Sequence, residues 1–449
     1  MREDPRTRFR RDTGDDGTDR SLRSLRSSAS RRTTPLLAAL IFLVALNLRP
    51  AIVAVGPVLT RIGDELHWGE TVLGLLGAMP LWMFAAFSPL VRFITARIGE
   101  DRTILAALLV LAAGDIVRSF GGPAGIWLGT VAVGAGIAAG NVLVPAIAKR
   151  DYAGHVPLAT GVYSACITSG SAIAGLTSAT FADMFGDWRR SLAVWALPAL
   201  VVAGAWSIRL TRRGPRDGTS AQSVESGSAT GSTTGAASDV TTSGATPGAR
   251  PTARPATRPL WRRPMTWWVT LFMGLQSAAF YTMSNWLPSV AVSAGFTDMQ
   301  AGVQLFVFQS LGILSGLLIP ALMRVRGNQV CAALTASVPM VIAGFGWMLL
   351  PSWSAVWSVV GGVGQGASLV VALTLISLRG RTAEETVALS GMAQSIGYLI
   401  ASVGPFAFGA LSEASGTWSA PFVLVVVLAL AQCAVAFPAG VPSEEESAM

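Results

Sequence analysis

Apolar runs long enough to cross a bilayer recur twelve times along this chain. They fall at about 35–61, 70–91, 103–119, 124–148, 157–182, 190–209, 264–291, 299–322, 329–350, 354–378, 385–412 and 418–438. A hydrocarbon core of ~30 Å takes about 20 helical residues to span. Twelve such runs predict an all-α polytopic membrane protein with 12 transmembrane helices. Strand-type alternation is absent from the runs, which argues against a transmembrane β-barrel. Frequent Gly, Ala and Ser within them predict helices packed closely on helices.

The charge distribution excludes another class. Net charge is +8, and only 13% of residues are charged. Residues 1–33 carry +4 and residues 209–263 carry +6, so all the rest of the chain together is left at −2. The basicity belongs to polar segments without the interleaved aromatic residues of a single-strand binder, so nucleic acid is not an expected partner. Cys166, Cys331 and Cys433 lie inside apolar runs, and His67 and His155 fall in different loops. Neither a disulfide framework, a metal site nor a cofactor is expected. No catalytic triad, paired carboxylates or phosphate-binding glycine loop stands out, so the chain does not read as an enzyme.

Composition divides the chain into a disordered basic tail at 1–33, a six-helix half at 34–210, a disordered linker at 211–263, a second six-helix half at 264–438 and a tail at 439–449. The linker is rich in Ser, Thr, Gly and Ala and cannot bury a core. Arg and Lys collect in the tail, the linker and alternate short loops, which predicts both termini on the cytoplasmic side of the inner membrane. Ser30-Arg31-Arg32 before an apolar stretch resembles an export signal. The stretch continues past Pro50 without a small-residue cleavage site, so it reads as an uncleaved first span and one long helix.

The halves repeat. Gly134 and Gly136 match Gly364 and Gly366, Gly161 matches Gly391, Gly186 matches Gly416 and Trp188 matches Trp418, all at an offset of 230. Parallel six-helix repeats with a polar connection indicate a transporter that alternates between two states.

Arg49 is the most informative single residue. It lies about 14 residues, roughly 21 Å, into the first span at 1.5 Å per residue. A charge there costs on the order of 3 kcal/mol and needs a wet cavity or a partner. Pro50 loosens the helix beside it, and Asn47 adds donors and acceptors nearby. No Asp or Glu lies near the middle of any span; Asp115 and Arg118, three apart, are expected to satisfy each other. The solute is therefore expected to supply the negative charge. The other reading is a structural arginine satisfied by carbonyls of neighbouring helices. Asn141, Tyr163, Gln276, Tyr281, Gln365, Gln394 and Tyr398 are the remaining candidates for a hydrogen-bonding cage. Helix–helix hydrogen bonding is the competing role for each. Trp286 reads as an interfacial belt residue, the alternative being an aromatic lining of the cavity. Arg92, Arg97 and Arg102 in the second loop, with Arg324 and Arg326 as their counterparts, are candidate gating residues or simple positive-inside anchors.

Asn47-Leu48-Arg49-Pro50-Ala51 resembles the cyanate and 2-nitroimidazole transporter branch of the major facilitator superfamily. So do Gly140-Asn141 to Pro145 with Lys149-Arg150-Asp151, Leu275-Gln276-Ser277 with Tyr281 and Trp286-Leu287-Pro288, Gly364-Gln365-Gly366, and the run from Leu389 through Gly391 and Gln394 to Tyr398. The family's usual second-loop pattern is kept only in part, as Arg97-Ile98-Gly99. The resemblance implies a monomeric secondary permease working by alternating access on a small solute, with a coupling proton as a further possible partner beside the lipid bilayer. The expected solute is small and anionic or polar. The alternative is efflux of neutral heteroaromatic drugs such as nitroimidazoles, with Arg49 structural. A membrane sensor or enzyme is the remote third reading.

Overall fold

The computed structural model describes residues 35–152, 155–213, 260–323, 329–380 and 383–441, and every regular element among them is helical. The predicted tail at 1–33, nearly all of the linker, and Arg324 and Arg326 lie outside the described residues. Twelve spans appear in the predicted order. α1 is built of pieces, Pro35–Asn47, Pro50–Val53, a 3-10 turn at Gly56–Val58, and Leu59–Leu66. Then follow α2 Glu70–Ile98, α3 Glu100–Phe120, α4 Gly122–Asp151, α5 Val156–Phe185, and α6 in two pieces, Trp188–Ala193 and Ala196–Arg213. The second half holds α7 Pro264–Ser293, α8 Asp298–Met323, α9 Val330–Leu349, α10 Ser354–Arg379, α11 Ala383–Ser415 and α12 Phe422–Gly440.

Eleven of these spans are long and apolar enough to cross a membrane; α7 is long enough, at 30 residues, but more polar than the rest. Its burial accounts for this. From Phe272 to Ala291, every α7 residue except Phe280 is buried, so the helix faces protein and not lipid. A stretch enclosed by protein is free of the apolar requirement on its surface.

The first span departs from the single helix expected. Proline cannot donate to the carbonyl four residues back. Pro50 and Pro57 therefore break the ladder at two places, and the chain turns at Leu48–Arg49 and again at Ala54–Val55. Val55 donates to Ile52 instead of Ala51, which leaves the Ala51 carbonyl without a backbone donor.

The repeat is visible in the packing, with a register correction. Gly134 packs on α2 and Gly362 on its counterpart α8, while Gly136 packs on α3 and Gly364 on α9. The equivalent pairs in α4 and α10 are thus 228 apart, not 230. In α5 and α11 the offset of 230 holds, since both helices stop at a left-handed glycine, Gly186 and Gly416, each with φ +64°. Two residues are gained between these spans.

Among the described residues, the contacts between the halves run from the Arg61 end to the middle of the bundle. Gly74 of α2 faces Pro405 of α11, where a Cβ would sit 2.6 Å from the carbonyl oxygen. Gly302 of α8 likewise faces the Gly175 carbonyl of α5 at 3.0 Å. Trp82 of α2 donates to Ser402 Oγ of α11 at 2.9 Å, across the seam marked by Gly74 and Pro405. Arg61 pairs with Asp183 at 2.7 Å and with Asp298 of the other half. Glu413 accepts the Thr71 backbone N–H at 2.8 Å, capping α2 from α11. Toward the opposite end, a Cβ at Gly161 of α5 or Gly391 of α11 would meet nothing within 4 Å. The bundle is closed at its Arg61 end and spread at its Arg150 end.

Candidate functional site

Arg49 sits in the α1 break, with φ −120° and ψ −28°. The break places it between α4, α5 and α7. A Cβ at Gly140 of α4 would strike Leu48, and one at Gly170 of α5 would strike the Leu46 carbonyl. From α7, Phe280 and Tyr281 present their rings to the guanidinium, with centroids 5.1 and 5.2 Å from Cζ. Such contacts contribute about 0.5–2 kcal/mol each. They do not satisfy the N–H groups, and Arg49 Nε is buried without a hydrogen-bond partner. Among the described residues no carboxylate forms an ion pair with Arg49.

The rings belong to a larger aromatic cluster. Tyr281 lies 6.4 Å from Tyr398 of α11 in edge-on geometry, and Phe84 of α2 lies 5.2 Å from Tyr398. The Tyr281 hydroxyl is also buried without a partner. Two donors, Arg49 Nε and the Tyr281 hydroxyl, thus stand unsatisfied in the same neighbourhood, where each costs about 1–3 kcal/mol.

The other predicted residues divide. Gln276 and Gln365 meet, with Gln365 Nε2 donating to both the side-chain and backbone oxygens of Gln276 at 3.1 Å. Gln276 in turn donates to Ser277 Oγ at 2.7 Å. This is a polar bridge between α7 and α10. Tyr163 is half-buried and packs against the cluster that includes Tyr281 and Tyr398. Asn141 is half-buried, one residue past the Gly140–Leu48 contact. Asn47 and Gln394 are spent within their own helices, donating to the Leu43 carbonyl at 2.8 Å and to Ser390 Oγ at 2.9 Å. Trp286 is not a belt residue. It is 1% exposed, donates to the Pro405 carbonyl at 2.9 Å and stacks on Phe408. An indole whose N–H finds a carbonyl inside the bundle has no need of the interface.

The second loop behaves differently from its neighbours. Arg92, Arg97 and Arg102 are exposed, and Arg92 lies over Phe93. The ion-pair network at that end is built instead from Arg150 and Arg209 with Glu100, Asp101 and Asp151. Arg209, fully buried, also stacks on Trp206 at 4.3 Å. Arg150 and Asp151 entered the sequence reading only within the family-like run, and Glu100, Asp101 and Arg209 lie at span ends, where charged residues are commonplace.

Twelve helices in two repeated halves, closed at one end over a central arginine, define a membrane transporter. The chain belongs to the Major Facilitator Superfamily, whose family model matches residues 36–402. It is 34% identical over 412 residues to the transporter YycB of Bacillus subtilis (strain 168), covering 90% of this chain and 93% of that one. It is 31% identical over 403 residues to the 2-nitroimidazole transporter of Escherichia coli (strain K12), covering 90% and 95%. Among solved structures, a bacterial homologue of the human lysosomal transporter Spinster, in an inward-facing and occupied conformation, superimposes with a TM-score of 0.65. That match has 17% identity, covers 91% of this chain and 97% of the other, and speaks to the fold alone.

Proposed function

We propose that this transporter moves a small anionic or polar solute, whose negative charge is received by Arg49. The observation that supports this reading is an arginine in mid-span, lying over two aromatic faces, with a buried N–H that nothing satisfies. A solute oxyanion would accept from Arg49 Nε and the Tyr281 hydroxyl together, and a planar solute would lie against the rings of Phe84, Tyr281 and Tyr398. The Gln276–Gln365 bridge, Asn141 and Tyr163 would complete the polar contacts.

With both termini and the linker on the cytoplasmic side, the Arg61 end faces outward and the conformation described here opens inward. Solute binding energy that differs between the two states would then drive rocking of the halves. Arg92, Arg97 and Arg102 would latch the second loop only when the inner end closes. A proton is the candidate coupling ion.

A second reading has its own observation. The aromatic cluster suits a neutral heteroaromatic ring, and a relative with 31% identity carries 2-nitroimidazole. Uptake of radiolabelled cyanate, benzoate and 2-nitroimidazole into proteoliposomes, with and without a pH gradient and a membrane potential, separates the two. Under the first reading anions are carried, and Arg49→Ala abolishes their uptake while the protein still inserts and folds. Normal anion uptake by Arg49→Ala would sink it. Retained nitroimidazole transport in that variant would favour the second.

A further inference from the structure

Two side-chain amides lie near Arg49, Gln309 level with the α1 break and Asn285 one turn toward the closed end, one in each seam between the halves, and both have unsatisfied atoms. Gln309 of α8 is 2% exposed, and neither its Nε2 nor its Oε1 has a hydrogen-bond partner. Asn285 of α7 is 8% exposed, and its Nδ2 has none. Asn285 is one turn past Tyr281 and touches Gly77 of α2, where a Cβ would sit 2.6 Å from its amide atoms. Gln309 follows Gly302 by seven residues, two turns of helix, and therefore shares its face. Gly302 and Leu305 on that face both lie against Gly175 of α5. Seven residues carry Gln309 about 10 Å deeper along α8. Because α5 runs the opposite way, that is the level of Thr168 to Gly170, where Gly170 abuts the α1 break.

A buried amide with both atoms unpaired costs roughly 1–3 kcal/mol per group in this state. An apolar residue of the same volume would avoid that cost, so the amide is explained if another state satisfies it. We propose that Gln309 and Asn285 are a second hydrogen-bonding station for the solute, sealed in this conformation and exposed when the Arg61 end opens. The amides offer both donors and acceptors, so the station suits a small solute that carries both kinds of group, or its accompanying water. The inference rests on the transport reading above but not on the identity of the solute or on the role of Arg49.

The test needs no solute. Gly74→Trp places a bulky side chain against the Pro405 backbone and prevents closure at the Arg61 end. On a background of Cys166→Ala, Cys331→Ala and Cys433→Ala, Gln309→Cys, Asn285→Cys and the seam reporter Ser402→Cys are treated with a membrane-impermeant maleimide. All three are expected to label at least ten-fold faster with Gly74→Trp than without it. The proposal is overturned if Gln309→Cys stays unlabelled while Ser402→Cys reacts; if neither reacts, the seam has not opened and the melting measurement below decides. A second measurement addresses folding directly. Gln309→Leu is expected to melt at or above the wild-type temperature in detergent, because it removes two unsatisfied groups. A clear drop in melting temperature would mark Gln309 as a structural residue and overturn the assignment. Failure here with anion uptake still lost in Arg49→Ala would leave the central site standing.

Discussion

Arg118 donates a 2.7 Å hydrogen bond to the carbonyl of Ala51, the acceptor that the break in α1 leaves without a backbone donor. Asp115, one turn earlier on α3, holds the same guanidinium at 2.7 Å, and both side chains are almost wholly buried. The pair therefore pins the broken segment that presents Arg49. Removing one partner of a buried ion pair typically costs about 3–5 kcal/mol, because the other charge is stranded. Arg118→Leu is expected to lower the melting temperature sharply and to reduce the folded yield in detergent. Arg118→Leu with Asp115→Leu should recover much of the stability but not transport, since the Ala51 carbonyl stays unpaired. Stability and uptake that recover together would contradict the positioning role.

The Arg61 ion pairs with Asp183 and Asp298 join the halves at the closed end. The side chains are 29%, 58% and 36% exposed, so solvent and salt screen them. Pairs of this kind contribute about 0.2–1 kcal/mol. Arg61→Ala is thus expected to shift the balance toward the open Arg61 end by about two- to five-fold, not to lock it. The readout is maleimide labelling of Ser402→Cys, with Arg61→Lys restoring most of the wild-type rate. The Glu413 cap on Thr71 acts at the other seam, so Glu413→Gln should add to the Arg61→Ala effect.

Within the second half, α8 and α10 cross at Gly312 and Gly366, where a Cβ on Gly366 would overlap the Gly312 backbone. Backbone cannot step aside as a side-chain tip can. Gly366→Val is expected to separate the helices and abolish the folded protein in detergent. Gly391→Val, at a position with open space around it, should leave the melting temperature within a few degrees of wild type. Size-exclusion profiles and melting curves of the two variants make the comparison.

The span count, the two halves and Arg49 were legible because each leaves a mark in one dimension: a run of apolar residues, a repeated offset, a charge where none belongs. Asp115 and Arg118 were legible as a pair by their spacing. What they hold was not, because the loose Ala51 carbonyl exists only once Pro50 and Pro57 have broken the helix. Gln309 was passed over for a similar reason. A glutamine in an apolar span is unremarkable in sequence, and only packing shows that both ends of its amide lack partners. Trp286 was misplaced because tryptophan is common both at interfaces and inside bundles, and the carbonyl that decides between them, Pro405, is 119 residues away. The register change from 228 to 230 was hidden by the abundance of glycine, which allows alignments two residues apart to look equally good.

Arg49 and Tyr281 can be tested separately from the charge alone. Arg49→Lys keeps the positive charge but replaces a flat guanidinium by a compact ammonium, which stacks less well and cannot present Nε in the same place. If the solute is an anion held by charge and geometry together, Arg49→Lys should retain uptake with KM raised about ten-fold, equivalent to ~1.4 kcal/mol. Arg49→Ala should show none. Tyr281→Phe removes a hydroxyl that is buried without a partner, so the empty protein should be as stable as wild type or slightly more so. On the proposed reading, in which bound solute satisfies the hydroxyl, its KM for the anion should nonetheless rise several-fold, with the maximal rate little changed. A lower melting temperature with unchanged KM would instead make the hydroxyl a structural group and leave Arg49 alone at the site. Uptake kinetics in proteoliposomes, set beside melting curves of the same preparations, decide between these outcomes.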